Sequence, residues 1–112
     1  MVRRAESNEL MPGTLELLIL HSLARGAQHG YGIARRIQEA SDDVLQVEEG
    51  SLYPALQRLL VKGWVTAEWG TSSTRRRARY YRLTRTGRKQ LGEEARSFRR
   101  VMDAIVRVMQ TA

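Results

Sequence analysis

The sequence predicts a mainly α-helical fold that carries a two-stranded β-hairpin and ends in one long helix. Three observations carry this expectation. Apolar residues recur at helical spacing in three short segments, around Leu15–Leu23, Ile33–Ile37 and Leu52–Leu60. The period then falls to two across Val65, Ala67 and Trp69, and an aromatic run follows at Arg79–Leu83. Finally Leu91, Ala95, Phe98, Met102, Ile105 and Met109 form a seam with intervals of 4, 3, 4, 3 and 4, the spacing of helices that pair.

Each element follows from local chemistry. Residues 1–12 are polar, end at Pro12 and are expected to form a flexible arm. Thr14 is placed to cap a first helix, which Arg25-Gly26 should end. His29-Gly30-Tyr31-Gly32 reads as a Gly-rich turn before a second helix, with Ile33, Ala34 and Ile37 inward and Ser41-Asp42-Asp43 as its stop. Val44, Leu45 and Val47 make a short connector with room for one brief strand. Ser51 is the expected N-cap of a third helix, with Pro54 in its first turn and Gly63 at its end. Leu52, Leu56, Leu59 and Leu60 face inward, leaving Tyr53, Gln57 and Arg58 outside. Two strands, Val65–Trp69 and Arg79–Leu83, flank a charged loop over residues 70–77. Thr84 or Thr86 starts the last helix, which runs to about Gln110 and is roughly 37 Å long at 1.5 Å per residue. The expected organisation is an arm over 1–12, a folded domain over 13–84 and a pairing helix over 85–112.

Composition narrows the function. The chain of 112 residues has room for one modest core. It contains no cysteine, which excludes disulfides, thiol nucleophiles and Cys-ligated metals, and fits a cytoplasmic setting. No stretch approaches the roughly 20 apolar residues of a membrane span, and Arg3-Arg4 has no apolar run behind it that would suggest a signal peptide. His21 and His29 are the only histidines, and neither falls in a catalytic or metal-binding pattern, so no enzyme, cofactor or metal site is expected.

The formal charge of +7 has a location. Residues 1–74 carry seven basic and nine acidic side chains, whereas residues 75–100 carry eleven basic and two acidic. Seventeen of the nineteen basic residues are Arg, whose planar fork suits phosphate. Such a patch is the footprint of a nucleic-acid binder, and equally of a solvated, solubilising face.

Three helices followed by a hairpin make a winged helix-turn-helix, in which the third helix enters the major groove of double-stranded DNA. The expected DNA-contacting residues are Tyr31, Ser51, Tyr53, Pro54, Gln57 and Arg58 at the helices, with Arg75, Arg76, Arg77, Arg79, Tyr80 and Tyr81 on the wing. Gln pairs bidentately with adenine and Arg with guanine. Of Tyr80 and Tyr81, which point to opposite faces, one is expected in the core and the other at a phosphate. Trp64 and Trp69 are expected to pack wing against core. The dimer interface is expected at Leu91, Ala95, Phe98, Met102, Ile105 and Met109, and a twofold pairing would bring two Phe98 rings to one cleft, a candidate site for a flat effector. Two other readings are a single-strand binder that stacks bases on Tyr80 and Tyr81, and a protein adaptor docking through its last helix.

Three blocks resemble the PadR-like transcriptional regulators. They are Gly13-Thr14-Leu15-Glu16-Leu17-Leu18-Ile19-Leu20 with His29-Gly30-Tyr31-Gly32-Ile33; Glu49-Gly50-Ser51-Leu52-Tyr53-Pro54-Ala55-Leu56 with Leu59 and Gly63; and Arg79-Tyr80-Tyr81-Arg82-Leu83-Thr84 with Gly87. They span residues 13–88, and the short tail is similar to the compact subgroup with a single dimerising helix. The resemblance implies a homodimeric repressor on an inverted repeat, released by a small aromatic or drug-like effector and acting in the cytoplasm at the nucleoid. It also implies that Tyr31, Tyr53 and Tyr81 serve DNA contact or helix-turn-helix geometry. Phe98 falls where multidrug-responsive relatives carry a Trp, and the wing tip is richer in Arg than the family motif.

Overall fold

The computed structural model describes residues 12–111, so the arm expected over 1–12 lies, but for Pro12, outside the described residues. The order is α1 (Pro12–Leu23), β1 (Gln28–His29), α2 (Gly30–Ala40), α3 (Glu49–Lys62), β2 (Val65–Thr71), β3 (Arg77–Leu83) and α4 (Arg85–Gln110). Ile19, Leu20 and Leu23 of α1, Ile33 of α2, and Leu52, Leu56 and Leu59 of α3 are almost fully buried together, with Val65 closing the sheet side. Each such side chain removed from water contributes roughly 1.5–3 kcal/mol.

Several starts and stops differ from expectation. The first helix already begins at Pro12, a residue suited to a first turn, so Thr14 lies inside it rather than capping it. The Gly-rich segment is not a free turn. Gln28 and His29 pair with Tyr81 and Tyr80, so the expected β2–β3 hairpin gains a short third strand, in a sheet of order β1-β3-β2. A strand of two residues is too short to leave a periodic signal. Helix α3 starts at Glu49, with Glu48 in extended conformation at the cap position. Ser51 is therefore not the N-cap; its amide donates to the Glu48 carbonyl at 3.0 Å within the first turn. Pro54, the sixth helical residue, falls just past that turn and leaves out one backbone bond, to the Gly50 carbonyl.

The α2–α3 connector forms no strand. Asp42 and Asp43 take left-handed φ values of 52° and 65°, which Asp tolerates better than most residues. The Ser41 hydroxyl then accepts from Leu45 N–H at 3.0 Å and the Gln38 side chain from Val47 N–H at 3.2 Å. Leu45 and Val47 are thereby laid on the core, half-buried.

The wing strands run in register from Val65↔Leu83 to Thr71↔Arg77, so the tip is shorter than the loop expected over 70–77. Ser72 organises it. Its N–H donates to the Arg76 carbonyl at 2.8 Å, its carbonyl accepts from Arg75 N–H at 2.9 Å and its hydroxyl accepts from Arg76 N–H at 3.3 Å. Arg75 sits at φ 66°, a strained value for a side-chain-bearing residue.

Helix α4 is tied to the domain at its first turn. The Thr84 hydroxyl accepts from Gly87 N–H at 2.9 Å and donates to the Gly63 carbonyl at 2.8 Å, while Thr84 N–H donates to the Trp64 carbonyl at 3.0 Å. A Cβ on Gly87 would lie 1.9 Å from that same Trp64 oxygen. Leu91, assigned from its spacing to a dimer seam, packs half-buried against its own domain's core instead, because this part of α4 still lies over the domain. From Phe98 onward the apolar residues are exposed. The helix has 26 residues, about 39 Å at 1.5 Å each.

Gly87→Ala is expected to destabilise the domain by about 1–3 kcal/mol, because backbone rather than a flexible side chain must move. A urea midpoint within error of wild type would show that α4 is not seated by this contact.

Candidate nucleic-acid interface

Helix α3 buries Leu52, Ala55, Leu56 and Leu59, which leaves Tyr53, Pro54, Gln57 and Val61 in one exposed row and Ser51 exposed at its first turn. Arg58 does not join that row. Its Nε donates to Glu16 of α1 at 2.5 Å, and Lys62, one turn on, donates to the other Glu16 oxygen at 2.9 Å. Arg58, expected to read bases, also holds α3 on α1 through its Nε, with its side chain still two-fifths exposed. Burial pushes the Glu16 carboxyl up, but hydrogen bonds and charge from Arg58 and Lys62 outweigh that and leave it below the ordinary carboxylate range.

Helix α2 brings its N-terminus beside α3. His29 caps it, with Nδ1 accepting from Gly32 N–H at 3.0 Å. Gly30 lies against the Tyr53 ring so closely that a Cβ there would meet the phenol oxygen at 2.8 Å. Burial, with the charge of Glu49 and the neighbouring Tyr81, raises the Tyr53 phenol above its ordinary value. Tyr31 is exposed, and its oxygen accepts from Arg35 at 3.2 Å; Arg35 also pairs with Glu39 at 2.6 Å.

The sheet register divides the wing into two faces. Leu83, Tyr81, Arg79 and Arg77 share one with Val65, Ala67, Trp69 and Thr71. Its first half is core: Tyr81 is only 5% exposed. A direct DNA contact by Tyr81 is therefore corrected to a packing role, since its ring is enclosed at the sheet's centre. The second half runs past the helices. Trp69, expected in the core, is 59% exposed, with the Arg77 guanidinium 4.8 Å over its ring. Trp64 does pack on the core, half-buried under Lys62. Tyr80 lies on the opposite face, its ring edge-on to His29 and its hydroxyl donating to the Thr71 carbonyl at 3.3 Å. Arg75 and Arg76 are exposed at the tip.

These surfaces enclose an open groove of about 810 Å³. The N-terminus of α2 with Tyr31 and Arg35 forms one wall, Tyr53 of α3 the floor, and Trp69, Arg76, Arg77 and Arg79 the wing wall. Four arginines and no carboxylate line it. Of the expected contact residues, Tyr31, Tyr53, Arg76, Arg77 and Arg79 come together here, as does Tyr81 through its ring; Ser51, Pro54, Gln57, Arg75 and Tyr80 do not line it. Trp69 was missed as a site residue because alternation gives the face of a strand and not where the core beneath it ends. Glu16 was missed because an acid inside an apolar helix declares no partner.

A second depression, of about 330 Å³, separates Gly13, Thr14 and Leu17 of α1 from Glu94, Ser97, Phe98 and Val101 of α4. Phe98, Val101, Ile105, Val106, Val108 and Met109 are exposed along α4. Among the described residues no group of acids and histidines is placed to hold a metal, and no helix is long and apolar enough to cross a membrane.

A helix-turn-helix core, an Arg-bearing wing and a protruding helix define a winged-helix protein. Residues 19–93 match the PadR-like family of transcriptional regulators, and the chain belongs to that family. It is 36% identical over 89 residues to a transcriptional regulator of Mycobacterium tuberculosis, covering 80% of this chain and 79% of that protein. A transcriptional regulator of Clostridium thermocellum superposes with a TM-score of 0.76 at 27% identity, over 85% of this chain and 92% of that one. A PadR-like regulator of Bacillus cereus gives 0.76 at 27% identity, over 89% and 95%.

Because the folded Glu16 value lies below the unfolded one of about 4.3, its contribution to stability is whole above that pH and is lost as pH falls through the lower folded value. Glu16→Gln should therefore lower the melting temperature at pH 7 and narrow its gap from wild type at pH 3. A gap independent of pH would show that the ion pairs do not carry the effect.

Proposed function

We propose that the chain is a homodimeric repressor that reads an inverted repeat in double-stranded DNA and is released by a small effector. The carboxylate-free groove, with four arginines converging beside the exposed row of α3, is the observation that carries the DNA-binding part. In this reading Gln57 and Tyr53, with Ser51 and Pro54 alongside, face base edges and sugar-phosphate from the major groove. Tyr31 and the N-terminus of α2 meet a phosphate, as helix N-termini favour anions. Arg75, Arg76, Arg77 and Arg79 hold the backbone or enter the minor groove, with Trp69 stiffening Arg77 by stacking. Tyr80 stabilises the wing from behind.

The exposed apolar row of α4 supports the dimer. A stripe containing Phe98, Met102, Ile105 and Met109 on a helix that outruns its domain is covered by a twofold copy of itself. Ala95, half-buried at the near end, marks where that seam begins. Two recognition helices in such a dimer stand about 34–36 Å apart, one turn of B-DNA. The α1–α4 depression beside Phe98 suits a small aromatic effector. Helix α1 meets α4 there and grips α3 through Glu16 one residue away, so a ligand that favours a shifted α4 alters the spacing of the reading heads.

Selection of bound duplexes from a random pool is the direct test, with a twofold-symmetric site expected and single-strand preference contradicting the reading. Replacing Arg75, Arg76 and Arg77 with Ala should weaken all duplexes and reduce the salt slope by about 0.9 per lost phosphate contact. Gln57→Ala should instead erase about 1–3 kcal/mol of preference at one or two base pairs. Ile105→Glu should yield a folded monomer that no longer holds a full operator, whereas a dimeric variant would place the interface elsewhere.

A further inference from the structure

We propose that the outer face of α4 holds duplex DNA, so that one molecule grips two separate duplexes, one in the groove and one on this helix. The proposal rests on the DNA-binding reading above only in counting the duplex on α4 as the second. At about 100° per residue, Arg85, Arg88, Lys89, Arg96, Arg99 and Arg100 fall within one third of the helix surface. Phe98, Val101 and Ile105 fall on the other side, so a second copy that covers the apolar seam leaves the cations facing outward. From Arg85 to Arg100 the stripe is about 22 Å long at 1.5 Å per residue. Glu93 lies at its edge, Glu94 on the opposite side, and Asp103 closes its far end.

Three features separate this stripe from an ordinary solvated face. All six side chains are exposed, and among the described residues none of them is in an ion pair; the pairs there are Arg35–Glu39, Arg58–Glu16 and Lys62–Glu16. Next, Arg85, Arg88 and Lys89 open the helix with no acid in its first turn, although cations there meet the positive end of the helix dipole. Finally, Gly92 sits at the centre of the stripe, four residues after Arg88 and four before Arg96. Glycine is unfavourable inside a helix, and the chain does not need one here. A Cβ at Gly92 would meet nothing nearer than Arg96 Nη1 at 3.6 Å, whereas one at Gly87 would strike backbone. The missing side chain leaves a gap between Arg88 and Arg96 through which a polyanion's backbone reaches the helix. The crowded charge and the glycine both disfavour the free helix, and a row of phosphates on this face would offset both.

Duplex DNA fits the stripe better than other polyanions do. Five of the six cations are Arg, whose fork takes phosphate oxygens in pairs. A duplex is a straight rod with one charge per ~1.7 Å of axis, which suits a straight stripe without apolar residues. A lipid surface takes a helix by its apolar side, and here that side lies away from the cations.

The test immobilises a random-sequence duplex of about 30 base pairs at about 50 mM salt. The full chain is added, then a labelled duplex of the same kind, and the label retained is read. Wild type should retain label and release it at about 200 mM salt. Arg88→Gln, Arg96→Gln and Arg99→Gln together should leave the protein on the immobilised duplex, with a melting temperature no lower, while retained label falls about tenfold. Gly92→Leu should likewise not lower the melting temperature yet should reduce the label, a combination that a merely solubilising face would not give. The wing variant lacking Arg75, Arg76 and Arg77 should lose label while still binding one duplex through α4. The two readings fail differently. Wild-type label in the wing variant would overturn the groove reading and support α4. Wild-type label in the α4 triple variant, no label with wild type, or tighter α4-dependent binding to phosphatidylserine vesicles than to duplex would each overturn the present proposal.

Discussion

The arrangement rests on the carboxylate of Glu16. It is 8% exposed on a helix otherwise built for the core, and two cations one turn apart on α3 reach its two oxygens. Arg58 and Lys62 are themselves about two-fifths exposed, so the group sits at the core's border, where pairing is favourable without the full cost of desolvating three charges. Hydrophobic packing of Leu52, Leu56 and Leu59 fixes the depth of α3 but is non-directional and tolerates rolling. Two bonds from positions i and i+4 to one fixed carboxylate do not. They set the rotation of α3 about its axis, and hence which residues face outward as the row Tyr53, Pro54, Gln57.

The wing solves a related problem with a single sheet face. Near the domain its inward residues are Leu83, Tyr81 and Val65, which are buried. Two residues further along each strand the same face has no helix beneath it, and Trp69, Arg77 and Arg79 take over. The apolar half anchors the polar half, so the arginines extend from a rigid ladder rather than from a mobile loop. Stacking adds to this: Arg77 over Trp69 and Arg79 6.0 Å from the Tyr81 ring centre hold their planes toward the groove. Cation–π contacts at exposed sites contribute only about 0.5–1 kcal/mol, enough to bias rotamers and too little to compete with a phosphate.

The sequence-legible features were those with local causes. Helical periodicity, Gly63 at φ 76° after α3, the Thr84 cap and the end of α4 at Gln110 each follow from a few adjacent residues. What escaped depends on partners distant in the chain. Strand β1 exists only because β3, some fifty positions on, offers an edge to Gln28 and His29. Arg58 looked like a free recognition residue because its acid lies 42 positions earlier. Leu91 fitted a heptad seam, yet the seam's own spacing carries no mark of where the domain beneath α4 stops. The start of α3 was misplaced for a different reason: Ser51 is the better capping residue by type, but Glu48 and Glu49 put acidic charge near the positive end of the helix, which also favours a start there.

The excess of positive charge at residues 75–100 divides in the structure into two main populations, with Arg75 at the wing tip and Arg82 on the far face of β3 outside both. Arg76, Arg77 and Arg79 line the groove, whereas Arg85, Arg88, Lys89, Arg96, Arg99 and Arg100 are exposed along α4. At physiological salt, charges screen each other over about 8 Å, so those on α4 act on a distant polyanion weakly once it is seated in the groove. They still contribute to the field through which a charged partner approaches. On the proposed DNA-binding reading the wing arginines meet phosphate at contact distance, where screening is slight and each displaced counterion counts. On that reading one stretch of sequence separates into a part that governs encounter and a part that governs holding, and the boundary is the turn at Thr84, where a helix cap redirects the chain from the sheet into α4.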